Sequence, residues 1–119
     1  MAQLLAFELD RLPPSANSIW RAVNGHVIKS SDYRKWLEAT AWEIREKSGP
    51  GRIDGGYALH LQFVRQSKRR SDIDNLIKPL SDAIVRAGLV EDDSFCMRVK
   101  AGWVQEGPPV KAWIIATTG

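Results

Sequence analysis

Cysteine and histidine are scarce in this chain of 119 residues: Cys96 stands alone, and His26 and His60 are the two histidines. One thiol closes no disulfide within the chain and builds no thiolate metal cluster. The histidines do not stand at zinc-ligand spacing, and no serine has a nearby histidine and acid to activate it. A glycine-rich phosphate loop is missing too, which disfavours a nucleotide-binding phosphotransferase. Nowhere do about 18 uncharged apolar residues run together. MAQLLAFELDR also lacks a basic leader ahead of an apolar stretch, so no membrane association is expected and the protein is read as cytoplasmic.

What is present describes one ordinary globular domain spanning residues 1–119, with 44% hydrophobic and 26% charged residues and no repeat, low-complexity tract or long linker. The formal charge of +3 and the pI near 9.2 permit an anionic partner without establishing one. A domain of this size buries only about two thirds of the surface of its unfolded chain, so a site is expected at the surface or between subunits.

Alternation of apolar residues predicts a strand over residues 3–9, ended by Pro13-Pro14-Ser15. Residues 18–29, with Asn24-Gly25 at their centre, fit a short hairpin carrying Trp20, Arg21 and His26. A helix is expected from Ser30 or Ser31 to about Lys47, stopped by Gly49-Pro50. YALHLQFVR, residues 57–65, alternates as a half-buried strand, and a second helix is expected from Asp74 to Ala87 with Gly88 closing it. FCMRVKAGWVQ and KAWIIATT, parted by Gly107-Pro108-Pro109, read as two antiparallel strands. The expected fold is therefore α+β, with two layers: a mixed β-sheet and two helices on one face. Four of the five tryptophans (Trp36, Trp42, Trp103, Trp113) fall on these elements and are assigned to the core or a dimer interface. Trp20, in a polar stretch beside Arg21, is a candidate for stacking on an unpaired base.

The chemistry concentrates in SKRRSDIDNLIKPLSDAIVRAGLVEDDS, residues 67–94. Asp72 and Asp74 flank the start of the second helix. If the backbone there is extended, residues two apart point the same way and the two carboxylates converge. Unpaired, they would repel, so a divalent cation between them is the sensible occupant; an all-oxygen site suits magnesium, with manganese possible. Lys78, one turn above Asp74, is placed to stabilise charge developing on a phosphate. The run Arg65, Lys68, Arg69, Arg70 offsets the acids and draws in a polyanion. Taken singly, each feature has a plain structural explanation: an N-cap aspartate, an i,i+4 ladder through Asp74, Lys78, Asp82 and Arg86, and a basic surface loop. Pro79 also strains the expected helix, which is predicted to begin nearer Leu76 or to bend at Lys78, leaving 72–75 irregular.

RRSDIDNLIKPLSDAIVRAGLVEDD resembles the signature of the RusA family of Holliday-junction resolvases, and PPSANSIWR is similar to that family's N-terminal motif. The resemblance implies that Asp72, Asp74 and Asp93 are metal-binding aspartates and that Lys78 is the catalytic lysine. It implies a homodimeric, magnesium-dependent endonuclease that nicks two opposed strands of a four-way DNA junction, leaving 5′-phosphate and 3′-hydroxyl ends. A C₂ dimer would supply two equivalent sites to a two-fold substrate. Asn75 and Asp92 are expected in support, and Arg21, Lys68, Arg69 and Arg70 on DNA phosphates, with Lys29, Arg34 and Lys35 assisting. A helix of this length carries the chain about 20 Å from Asp74, and Gly88 to Asp93 can return barely as far. Asp93 is accordingly expected to join the Asp72/Asp74 pair of a partner chain. The competing expectation is a non-catalytic DNA-binding module whose acidic cluster is structural.

Overall fold

The computed structural model describes residues 3–15, 20–23, 26–66 and 72–117, with the backbone alone for 20–23 and 26–29. Strand β1 (Leu4–Leu9) buries Leu5, Phe7 and Leu9 and turns Leu4, Ala6 and Glu8 outward, as its alternation requires. The backbones of β2 (Trp20–Val23) and β3 (His26–Lys29) pair antiparallel as the expected hairpin. Helix α1 (Ser31–Ser48) starts where Ser30 Oγ accepts the Tyr33 N–H at 3.1 Å, an N-cap that satisfies one of the helix's free donors. Strand β4 (Tyr57–Phe63), helix α2 (Asp74–Ala87), a single 3-10 turn (Asp93–Phe95), β5 (Cys96–Trp103) and β6 (Val110–Ala116) complete the chain.

The four longer strands make one mixed sheet in the order β1-β6-β4-β5, with β4 and β5 parallel and the other pairs antiparallel. Here the sequence reading needs correction: β5 and β6 are not neighbours, because β4 lies between them. The pattern of burial explains the order. Val110, Ala112 and Ile114 of β6 are fully buried, which suits an inner strand, whereas Met97, Arg98, Val99 and Lys100 of β5 are exposed, which suits an edge. A parallel neighbour needs a crossover, and α2 supplies it between β4 and β5.

Both helices lie on one face. Leu5, Phe7, Leu59, Leu61, Phe63 and Ile114 from the sheet meet Ile44 of α1 and Leu76, Leu80, Ala83 and Ile84 of α2 in one core. Two-layer α+β packing is thus as expected. The far ends of the helices are pinned together by Arg45, whose guanidinium donates to the carbonyls of Ala87 (3.0 Å), Gly49 (3.0 Å) and Gly51 (2.8 Å). Ala87 ends α2, and Gly49 and Gly51 follow the end of α1, so one cation ties the two helix ends together. Gly88, at φ 81°, takes the left-handed conformation that closes α2, and its N–H bonds back to Ile84 and Val85.

Trp36 and Trp103 pack against the core and Trp113 is half-buried on the sheet, but Trp42 is 66% exposed on α1 and belongs to no core. Among the described residues no helix is long and apolar enough to cross a membrane.

Candidate active site

Helix α2 begins at Asp74, earlier than the proline suggested. Pro79 is buried, and it falls five residues into the helix, where it removes the N–H that would have bonded the Asn75 carbonyl. The first turn compensates by tightening: Asn75 N–H donates to Asp72 O at 3.2 Å and Leu76 N–H to Ile73 O at 2.9 Å, both three residues back. Ile73 is already helical (φ −58°, ψ −41°) and the helix has no side-chain cap. Two consequences follow. Neither aspartate serves as the N-cap, so capping does not account for them. Nor do the two share one extended strand: Asp72 precedes the helical Ile73 and Asp74 opens the helix, so what they have in common is the helix start. Both are exposed.

One turn further on the side chains interlock. Lys78 Nζ lies 2.9 Å from Asp82 Oδ1 and 3.2 Å from Asp93 Oδ2. Asp82 is held from behind, because the Tyr33 hydroxyl of α1 donates to its Oδ2 at 2.6 Å. The predicted i,i+4 ladder is therefore only partly present: Asp82 turns toward α1, with its side chain 15% exposed, and Arg86 pairs with Glu38 of α1. The Lys78 ammonium is raised above its ordinary 10.5, first by the hydrogen bond to Asp82, with Asp93 adding to it and partial burial opposing. It is a fixed positive charge over any working pH.

Asp93 reaches this position through its own chain. After Gly88, the backbone pairs Ile53 with Val90 and turns through Asp93–Phe95 into β5, which brings Asp93 back to the level of Lys78. The chain length that seemed barely sufficient covers most of the return, and Asp93 stops one helical turn beyond Asp74. Asp92 accepts from Ser94 Oγ at 2.7 Å, a bond that holds its carboxyl below the ordinary range. Lys78, Asp82, Asp92, Asp93 and Arg86 line one shallow depression of about 340 Å³. Beneath it Tyr57, at the head of β4, is pushed well above its ordinary 10.0 by burial, then by Cys96 and Asp93.

As cation ligands these side chains fit in kind, being exposed or half-exposed carboxylates that offer only hard oxygen donors. Within one chain they do not fit in number: among the described residues no three acidic, histidine or cysteine side chains gather round a common point. Arg65 stacks its guanidinium 4.2 Å from the centre of the Trp103 ring. Asn75 is half-buried in the first turn of α2. Lys68, Arg69, Arg70 and the Arg21, Trp20 and Lys29 side chains lie outside the described residues, while Arg34 and Lys35 are exposed on α1. Sequence reasoning missed Tyr33 and Tyr57 and gave Asp82 a solvent-facing role. The spacing of Asp82 from Lys78 was a signal; its tyrosine partner lies 49 residues away and gave none.

Fold and site define a small α+β domain bearing an acid-and-lysine cluster on its helical face, of the kind suited to phosphoryl chemistry. A family model described as Endodeoxyribonuclease RusA matches residues 11–114, and the chain belongs to that family. Its relatives include a crossover junction endodeoxyribonuclease RusA of Aquifex aeolicus (strain VF5), 30% identical over 92 residues, which covers 76% of this chain and 73% of the relative. Another, the crossover junction endodeoxyribonuclease of Enterobacteria phage HK97, is 30% identical over 83 residues, or 68% of each chain.

Proposed function

We propose that this chain is a magnesium-dependent endodeoxyribonuclease that resolves four-way DNA junctions by paired symmetric nicks, working as a cytoplasmic homodimer in DNA recombination and repair. The observation that carries the reading is Lys78, held between Asp82 and Asp93 one turn from the exposed Asp74, in a chain whose relatives are named for crossover-junction cleavage. Asp72, Asp74 and Asp93 would hold the cation, magnesium first and manganese as a substitute. When bound, it would supply the positive charge that polarises the scissile phosphate and makes water acidic enough to attack.

The chain's own groups do the rest. Lys78 stabilises negative charge building on a non-bridging phosphate oxygen, and it is effective because Asp82 fixes it before substrate arrives. Asn75 orients the neighbouring acids, and Asp92 steadies the turn that presents Asp93. Arg21, Lys68, Arg69 and Arg70 bind flanking phosphates, drawing the strand over the helix start. Since among the described residues three acids do not close round one point within a single chain, Asp93 serves the Asp72/Asp74 pair of a second copy, and a two-fold dimer carries two such composite sites.

The test compares a synthetic four-way junction with a linear duplex of the same sequence, using wild type and Asp74→Asn. Wild type is expected to nick the junction symmetrically on adding magnesium and to stop with a chelator, while Asp74→Asn binds without cutting. Cleavage without a metal, or equal cleavage of the duplex, contradicts the proposal; wild-type binding with no cleavage under any divalent ion returns the non-catalytic alternative.

A further inference from the structure

A second cavity, among the described residues, lies away from the acidic cluster. It is an open groove of about 590 Å³ on the sheet face turned away from both helices, where Lys100, His60, Trp113 and Leu4 contribute to the lining. Strand register decides what this face displays. His60 stands between Lys100 of β5 and Trp113 of β6, with Ala6 of β1 next in the same row. The row on one side holds Arg98, Ala58, Ile115 and Leu4, and the row on the other holds Gly102, Gln62, Lys111 and Glu8. Three full cations (Arg98, Lys100 and Lys111) thus frame a central tryptophan, against one acid, Glu8, at a corner. Lys111 already lies over the indole, its Nζ 5.1 Å from the ring centre.

We infer that this outer sheet face binds a single DNA strand, with a base stacked on Trp113 and its flanking phosphates paired with Lys100, Arg98 and Lys111. The choice of DNA rests on the endonuclease reading; the strandedness rests on the face itself. Its floor is apolar and flat where Trp113, Ile115 and Leu4 meet, matching the π-face of an unpaired base, and its cations stand to the sides, matching a backbone. Arg98 and Lys100 are about 6.6 Å apart along one strand and point the same way. Two strands, or about 9.6 Å, separate Lys100 from Trp113, so phosphate and base of one nucleotide fall within reach of both. A second copy of the chain is the competing occupant, and charge opposes it: joining two such faces sets three cations against three. Opening of base pairs at a junction's crossover would release such a strand, and this face would hold it on the side of the domain opposite the nicking cluster.

The experiment titrates fluorescently labelled oligothymidine into the full chain in the Asp74→Asn background, by anisotropy over a salt series. Arg98→Ala/Lys100→Ala/Lys111→Ala, all away from the core, is compared with the parent, and thermal melting verifies its fold. Trp113→Leu is the second variant. The triple variant is expected to bind at least tenfold more weakly, with a log–log salt slope shallower by about 2, as the loss of three phosphate contacts on a single strand requires. Trp113→Leu is expected to lower affinity at least fivefold with the slope unchanged. Unchanged affinity and slope in the triple variant would overturn the inference, as would a sedimenting dimer that the triple variant alters with no change in oligothymidine affinity. Equal competition by duplex of the same length overturns the single-strand assignment. Junction cleavage is read separately: if wild type never cuts yet these losses appear, the endonuclease reading fails while the binding face stands.

Discussion

The two ends of the acidic cluster are built differently. Lys78, Asp82 and Asp93 are locked to one another and, through Tyr33, to the neighbouring helix. Asp72 and Asp74 sit exposed at a helix start that has no side-chain cap. A carboxylate whose partners are already in place costs little to organise when substrate arrives; one left in water is free to take a cation but must be ordered by it. On the proposed reading Asp82 positions Lys78, Asp72 and Asp74 capture the cation, and Asp93 is held ready for the pair of a second copy. Among the described residues no third acidic, histidine or cysteine side chain completes a group with Asp72 and Asp74.

Removing the centre of the locked half should have the largest effect. Lys78→Met is expected to cut the single-turnover rate of junction nicking by about 10² to 10³ with junction affinity nearly kept, as loss of one preorganised charge-stabilising group does; equal losses in rate and affinity would make Lys78 a phosphate anchor instead. Next comes the pin at the far ends of the helices. Arg45→Met leaves carbonyls at the ends of both helices without their cation and is expected to destabilise the fold by about 2 kcal/mol in urea unfolding. An effect under half of that would mean that the guanidinium contributes little to joining the two helix ends. Tyr33→Phe removes one hydroxyl from Asp82 and should cost about 1 kcal/mol of stability, with kcat falling several-fold and KM unmoved.

The same tyrosine sets a pH signature. Its hydroxyl is pushed well above the ordinary 10.0, by burial first and then by the bond to Asp82. A raised acid favours the fold fully below pH 10, and that contribution is lost as pH rises toward the folded value, because the unfolded chain ionises first. Stability should therefore fall on the alkaline side, less steeply in Tyr33→Phe, with Tyr57 keeping part of the slope. Identical alkaline limbs would show that Tyr33 is not held as described. The smallest effect belongs to Asp92, whose depressed carboxyl stabilises above the ordinary 3.8 and loses that as pH falls through its folded value. Asp92→Asn should change only the acid limb of unfolding, and only slightly, since the group is exposed.

Local signals in the sequence served well where local chemistry decides. Ser30 as a cap, Gly88 as a left-handed stop and the alternation of Tyr57, Leu59, Leu61 and Phe63 each specify their element within a few residues. The sheet order was not legible in the same way. Whether β6 lies beside β5 or slots between β1 and β4 depends on which strand can afford an edge, and that requires comparing strands remote in sequence. Pro79 misled in another direction: the lost hydrogen bond is real, but a tight three-residue-back first turn and a buried ring absorb it. At the site, residue types and spacing singled out Asp72, Asp74, Lys78 and a downstream acidic pair, and the resemblance to the RusA family chose Asp93 from that pair. The aim of each carboxylate, the return of Asp93 to Lys78 and the bond from Tyr33 come from tertiary packing that spacing does not encode.

Mixing two inactive proteins tests the split site most directly. Asp72→Asn and Asp93→Asn are each expected to be dead as homodimers; co-refolded, their heterodimer holds one site with wild-type Asp72 and Asp74 from one chain and wild-type Asp93 from the other. The account predicts that magnesium restores nicking of a four-way junction at that one site, on one strand at a time. No cleavage from a verified heterodimer would place all three aspartates of each site within a single chain and contradict the division drawn here.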